Sequence, residues 1–212
     1  KEDTSSGFDI VSHNVNQTGQ DFTISHNLGV TPDAIFAKNR DSNHSWRVFH
    51  TRVGVSKTLF LDTTDQESGN SNRINAVSSS NFTFRTNTSG NFIFYVFSAV
   101  KGFSHFGAYK GNGSSGDGPY AFTGFRPSLI IVKKFSGSDN WQMHDNKRDT
   151  FNPVNRSLFP NTNSSEESGS RNVDFLSNGF KMRNGDGNTN ESGESYVFWA
   201  WAEQPFKYAR GR

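Results

Sequence analysis

The chain has 212 residues, no cysteine, and a formal net charge of +2 from 22 basic and 20 acidic residues. That near balance gives no electrostatic case for nucleic acid or an anionic membrane surface, and without cysteine there is no disulfide framework and no thiol chemistry. Only 32% of residues are hydrophobic, but 21 phenylalanines and 4 tryptophans carry much of that content, and large aromatic side chains build a thin core from few positions.

Abundant Gly, Asn, Ser and Thr suit an all-β domain with many turns. No apolar stretch is long enough to cross a bilayer as a helix. No signal peptide is visible and the chain begins with Lys1, so it reads as a piece of a longer protein. Asn16-Gln17-Thr18 and Asn81-Phe82-Thr83 are glycosylation sequons by pattern, a pattern that chance supplies in a chain this rich in Asn, Ser and Thr.

Residues 1–6 are a polar lead-in. Gly7-Phe8-Asp9-Ile10-Val11 opens the first strand. Phe22 and Ile24 alternate with Asp21, Thr23 and Ser25, as on a half-exposed strand. Gly29-Val30-Thr31-Pro32 then launches the apolar run Ala34-Ile35-Phe36-Ala37, a buried strand bracketed by turn residues. Lys38 ends it, a polar loop follows, and Trp46 opens the next strand through His50. Leu59-Phe60-Leu61 is a further strand and 65–72 a polar loop. Phe82 and Phe84 alternate with Thr83 and Arg85, and Phe92 to Val100 is too rich in β-branched and aromatic residues for a helix.

The same order then repeats. Pro32 and Pro127 are 127 − 32 = 95 positions apart, and Gly29 with Gly124, Lys38 with Lys133 and Trp46 with Trp141 keep that spacing. Phe8 aligns with Phe103 at the same offset, with the Gly-rich stretch 109–120 replacing the first strand pair. Leu59 aligns with Leu158 (158 − 59 = 99), Phe82 with Phe180, and Ile93 with Tyr196 (196 − 93 = 103). Phe206-Lys207-Tyr208-Ala209 begins a third copy that stops at once. A repeat at this period sets the architecture. The expected fold class is all-β: a first β-sandwich at 7–101 and a second at 102–212 with a short C-terminal tail, each two antiparallel sheets and jelly-roll-like, packed together. A single continuous barrel is the alternative, and no helical pattern appears. Phe36, Trp46, Phe82, Phe94, Ile131, Trp141, Phe180 and Phe198 are the expected core.

The chemistry-bearing residues make no catalytic constellation. Six histidines (His13, His26, His44, His50, His105, His144) are scattered, without metal-ligand spacing. There is no Gly-x-Ser-x-Gly elbow. A glycosidase carboxylate pair from distant strands stays open as an alternative. Asn184-Gly185-Asp186-Gly187-Asn188 offers oxygens to calcium but lacks the closing glutamate, and reads better as a hairpin turn. Gly111 to Gly118 looks like a phosphate loop, but no Lys-Ser/Thr follows and it reads as a flexible hairpin loop. Trp46 and Trp141 read as packing anchors before sugar platforms, and Trp199 and Trp201 as core or intersubunit contacts. No cofactor and no metal are expected.

Phe103-Ser104, Phe106-Gly107, Tyr109, Gly111-Asn112-Gly113 and Thr123-Gly124-Phe125-Arg126-Pro127 resemble a repeat domain of phage tail-fibre-like proteins, especially of phages of marine cyanobacteria. Asp174-Phe175-Leu176-Ser177-Asn178-Gly179-Phe180-Lys181 and Ala202-Glu203, Pro205-Phe206-Lys207-Tyr208-Ala209 carry the same resemblance. It covers nearly the whole chain, most clearly from Gly102 onward; His13 to Gly19 departs from it. The resemblance implies a virion location, extracellular on release, and an adhesive, non-enzymatic role, and transfers no catalytic residue. The expected partners are a host-cell surface polysaccharide or outer-membrane receptor and other fibre subunits, a homotrimer among the arrangements; nucleic acid and membrane insertion are not expected. A polysaccharide-degrading spike enzyme and a purely structural spacer are the competing functions. Repeats share what their fold needs, so contact residues are sought where the second copy is longer: Asn146, Lys147, Arg148, Phe151 and Asn152 in one loop, and Asp186, Asn188 and Asn190, beside Asn184, in another.

Overall fold

The computed structural model describes residues 6–69 and 72–204. Most of the polar lead-in, part of the 65–72 loop and the start of a third copy at Phe206 lie outside the described residues. The chain divides into two compact units, Lys1–Val100 and Lys101–Arg212.

The first unit contains β1 (Phe8–Val15), β2 (Asp21–Ser25), β3 (Ala34–Asn39), β4 (Arg47–His50), β5 (Leu59–Phe60), β6 (Arg73–Val77), β7 (Asn81–Arg85) and β8 (Gly90–Phe97). One antiparallel sheet has the order β1-β8-β3-β4-β5 and the other β2-β7-β6. The chain alternates between sheets over its first three and last two strands, as in a jelly roll, then keeps β4 beside β3. Ile24, Ile35, Ala37, Phe49, Ile74, Phe82, Phe84, Phe92, Phe94 and Val96 fill the space between the sheets. Phe82 and Phe84 of one sheet meet Phe94 of the other with ring centroids 5.1 Å apart.

The second unit contains β9 (Ser104–Lys110), β10 (Tyr120–Phe122), β11 (Pro127–Lys134), β12 (Gln142–Asp145), β13 (Val154–Ser157), β14 (Glu167–Leu176), β15 (Gly179–Met182), the helical turn α1 (Gly187–Asn190) and β16 (Ser195–Ala202). Its sheets run β12-β11-β16-β9 and β10-β15-β14-β13. The winding is that of the first unit, so the protein is all-β, built from two antiparallel sandwiches. The first strand pair is not replaced in the second copy: β9 and β10 occupy the places of β1 and β2. Phe180 meets Phe198 between the sheets at 5.0 Å, edge to face.

Strand pairing corrects the alignment of the copies at both edges. Ala34 pairs with Phe97, and Leu129, 95 positions after Ala34, pairs with Trp201. Phe97 therefore corresponds to Trp201 and Phe94 to Phe198, an offset of 198 − 94 = 104 rather than 103. Likewise Phe8 corresponds to Ser104, since they pair with Phe97 and Trp201. One residue matters here because a one-residue slip turns a side chain to the other face of the sheet. The correct partner of Tyr196 is the core residue Phe92, not the outward Ile93.

Of the eight expected core residues, Phe82, Phe94, Trp141, Phe180 and Phe198 are buried. Phe36, Trp46 and Ile131 are half-buried and sit on the sheet face away from the opposing sheet. Trp46 and Trp141 belong to that outer face too: Trp46 lies 6.0 Å from Tyr95, and Trp141 lies 5.2 Å from Trp199.

The lysine between proline and tryptophan explains the shared spacing. Lys38 Nζ donates to the carbonyl oxygens of Ser42, at 3.2 Å, and His44. Lys133 Nζ donates to the carbonyl of Asp139 at 2.7 Å, the equivalent of His44. The ammonium holds the polar loop that delivers the tryptophan to the sheet. Upstream, Gly29 and Gly124 have φ of 72° and 83°, left-handed values that a side chain disfavours.

Phe198→Ala should lower the unfolding free energy by about 3–5 kcal/mol in urea denaturation. Gly107→Ala should lower it by about 1–3 kcal/mol, since a Cβ there would stand 2.6 Å from Phe198 Cε1.

Candidate functional site

The two insertions of the second copy are structural elements before they are anything else. Between Asp145 and Leu158 it has 12 residues where the first copy has 8 between His50 and Leu59. The longer stretch carries β13, a fourth strand on the smaller sheet, whose Ser157–Glu167 pair corresponds to the single bridge Thr58–Ser68 in the first copy. Between β15 and β16 the added residues form α1 and its flanks.

The amides expected to face a ligand in the second insertion point inward. Asn188 and Asn190 are 7% and 0% exposed. Asn190 Nδ2 donates to the carbonyls of Asn184 at 2.6 Å and Ser114 at 3.0 Å, and its Oδ1 accepts from the Asn112 amide. Asn188 Oδ1 accepts from the Asn140 amide at 3.0 Å. Asp186 caps α1 through the Asn188 amide and pairs with Arg171 at 3.0 Å. Below them the Tyr109 hydroxyl donates to the Thr189 carbonyl and Tyr196 to the Gly187 carbonyl. Burial drives the Tyr109 pKa well above its usual value and that of Tyr196 to about 12, so both stay donors. Lys134, whose Nζ lies 2.6 Å from Asp139 and 2.7 Å from Glu191, ties the neighbouring loop to this plug. Burial opposes its charge, but the two carboxylates outweigh that and raise its pKa.

This stretch is therefore a capped helical turn that plugs one end of the sandwich, not a hairpin turn. The Gly111–Gly118 loop is stitched to it through Asn112 and Ser114. Among the described residues no group of three or more His, Asp and Glu is placed to hold a metal ion.

The first insertion is braced rather than buried. Asp145 accepts from the Lys147 and Arg148 amides and from Arg148 Nε at 2.6 Å. Arg148 also reaches Glu166 at 2.8 Å, and Glu166 pairs with Arg156. Burial works against the Asp145 carboxylate, but the hydrogen bonds from Arg148 and Lys147 hold its pKa below the usual range. Asn152 imitates a strand: its amide side chain donates to the Phe175 carbonyl and accepts from the Phe175 amide, both at 2.9 Å. Asn146 is 5% exposed, so it too is excluded from contact. Lys147 is exposed, and Phe151 is 84% exposed.

The two loops do not share a surface. The first follows Asp145, paired with Leu129 near the start of β11; the second precedes Tyr196, paired with Lys134 at its end. Five residues of strand, about 17 Å, separate those positions. At the end carrying Phe151, a shallow cavity of about 260 Å³ is lined by Phe125, Arg126, Ala202, Glu203 and Gln204, with Arg126 paired to Glu203 at 2.9 Å.

His144, on the core side of β12, takes the place of Phe49 in the first copy. Burial and the nearby charge of Arg148 lower its pKa to about 4.

A family model described as a domain of unknown function (DUF7483) matches residues 2–205. No curated protein matches the chain.

Between pH 6.5 and 4 the unfolded chain takes up a proton that folded His144 refuses, so stability should fall by up to ~3 kcal/mol as pH drops through that window. His144→Phe should flatten the slope in urea denaturation at pH 7, 5.5 and 4. Arg148→Ala should cost about 1.5–3 kcal/mol, while Phe151→Ala should stay within about 0.5 kcal/mol of the parent.

Proposed function

We propose that this chain, which belongs to the DUF7483 family, is a non-enzymatic module of a phage tail fibre that attaches to the host-cell surface through its glycans. The observation that carries the reading is Phe151. Phe151 is the most exposed large hydrophobic side chain among the described residues, at 84%, and a loop fastened at Asp145, Glu166 and Phe175 holds its ring out to water. Loops held rigid at the end of a sandwich are a common place for recognition. The pattern of shared and altered parts supports it as well. The first copy keeps the winding and the lysine-braced loop without such a ring on a braced loop, so the ring is not a requirement of the fold.

Attachment needs only complementary contact. Lys147 and the ring of Phe151 offer one cation and one apolar face to a sugar rim. Phe151→Ser in the intact fibre should reduce adsorption to host cells several-fold while leaving the thermal midpoint unchanged. Unimpaired adsorption would remove Phe151 from the contact. Release of reducing ends from host polysaccharide by the purified chain would overturn the non-enzymatic reading.

A further inference from the structure

One difference between the copies owes nothing to insertion. On β2 the side chains turned away from the core include Thr23 and Ser25, paired with Thr83 and Asn81 of β7. At the equivalent register β10 carries Tyr120 and Phe122, paired with Lys181 and Gly179 of β15. The same strand of the same sandwich folds with a threonine and a serine, so the fold does not require the two rings. Ala121 between them points into the core, which puts both rings on one outer face. They are 44% and 60% exposed.

The face is organised. The Tyr120 hydroxyl lies 2.7 Å from Asn178 Oδ1 and 3.0 Å from the Asn178 carbonyl, to which it donates. A Cβ on Gly179 would stand 2.8 Å from Tyr120 Cε2 and closer still to the Ala121 carbonyl oxygen, so glycine there admits both the β10 backbone and the Tyr120 ring. Two ion pairs rim the rings: Lys181 with Asp117 at 2.5 Å, and Arg183 with Asp174 at 2.8 Å. Each cation is matched by a carboxylate, so the face has exposed rings, hydrogen-bonding groups and no net charge.

We infer that Tyr120 and Phe122, with Asn178 and the Lys181–Asp117 pair, form a binding face for a neutral hexose of a surface polysaccharide. A pyranose presents an apolar C–H face that stacks on an aromatic ring and a rim of hydroxyls that pairs with amides and ions. An acidic sugar would call for an unmatched cation, and both cations here are matched. An apolar peptide would call for continuous hydrophobic surface, and these two rings stand among four charged side chains. The face lies at the same end as Phe151: Phe122 pairs with Gly179, Gly179 with Leu176, and the next residue, Phe175, is held by Asn152. The inference rests on the glycan-attachment reading and assigns the surface that performs it.

The test gives β10 the residues of the first copy, Tyr120→Thr with Phe122→Ser, and probes the purified chain on an array of neutral and acidic oligosaccharides. Val55→Ser, which removes an exposed apolar side chain from the first sandwich, is the control. The parent and control should retain neutral hexose-containing glycans, and the double variant should bind them at least about tenfold more weakly with an unchanged thermal midpoint. Should the double variant melt early, Phe122→Ser alone carries the comparison. Parent and double variant binding the same glycans equally would remove this face and leave the attachment reading standing. A parent that binds no arrayed glycan would overturn both. Loss of a parent oligomer in the double variant, seen by sedimentation, would assign the face to a second copy of this chain and overturn the inference.

Discussion

Each sandwich is closed by an aromatic contact between its sheets, Phe82 against Phe94 in the first and Phe180 against Phe198 in the second, at 5.1 and 5.0 Å. With only 32% hydrophobic residues, the chain has few side chains that can fill the gap between two sheets, which pack about 10 Å apart. Phenylalanine spans that gap from one strand to the next sheet. The contact fixes register, since a one-residue slip on β8 or β16 would turn the ring out of the core. It also demands close approach elsewhere: Gly107 is bare because the Phe198 ring occupies the space of its Cβ.

On that frame the second copy has changed in two physically different ways. Its insertions added backbone that had to be satisfied. The added loop around α1 turned Asn184, Asn188 and Asn190 inward to pair the carbonyls and amides of neighbouring loops. The added β13 extended a sheet and brought Asp149, Arg156 and Glu166 together across its ends. Its substitutions, by contrast, left the backbone alone and changed what faces water: Tyr120 and Phe122 stand where Thr23 and Ser25 stand in the first copy. New backbone consumes polar side chains, whereas new side chains on an existing strand remain available to a partner. That distinction favours recognition by the substituted strand and the braced Phe151, rather than by the amide-rich loop.

Much of the fold was legible in the sequence because the repeat is nearly ungapped where it matters most. The spacing of glycine, proline, lysine and tryptophan held because each of them acts locally. The glycine makes a left-handed turn, the proline starts a strand, the lysine clasps a loop and the tryptophan covers the outer sheet face. β6, β13 and most of β14 were not legible. Val154-Asn155-Arg156-Ser157 and Glu167-Ser168-Gly169-Ser170 lack the apolar alternation of a strand, and are strands because β14 and its neighbours offer them partners. α1 was hidden for a related reason, since its inward face is amide rather than hydrocarbon. Asparagine in a loop reads as exposed from sequence, and only the carbonyls around Asn190 show that it is not. Tyr120 and Phe122 were legible in principle, but only once pairing fixed which residues of the copies correspond.

The central claim is that the two sandwiches share a scaffold and that the second alone meets the host surface. Hydrogen–deuterium exchange of the chain with and without purified host surface polysaccharide tests it directly. The account predicts new protection at 120–126 and 146–153, with none at the equivalent segments 23–31 and 51–58. Equal protection in both copies, or protection confined to the first, would contradict it.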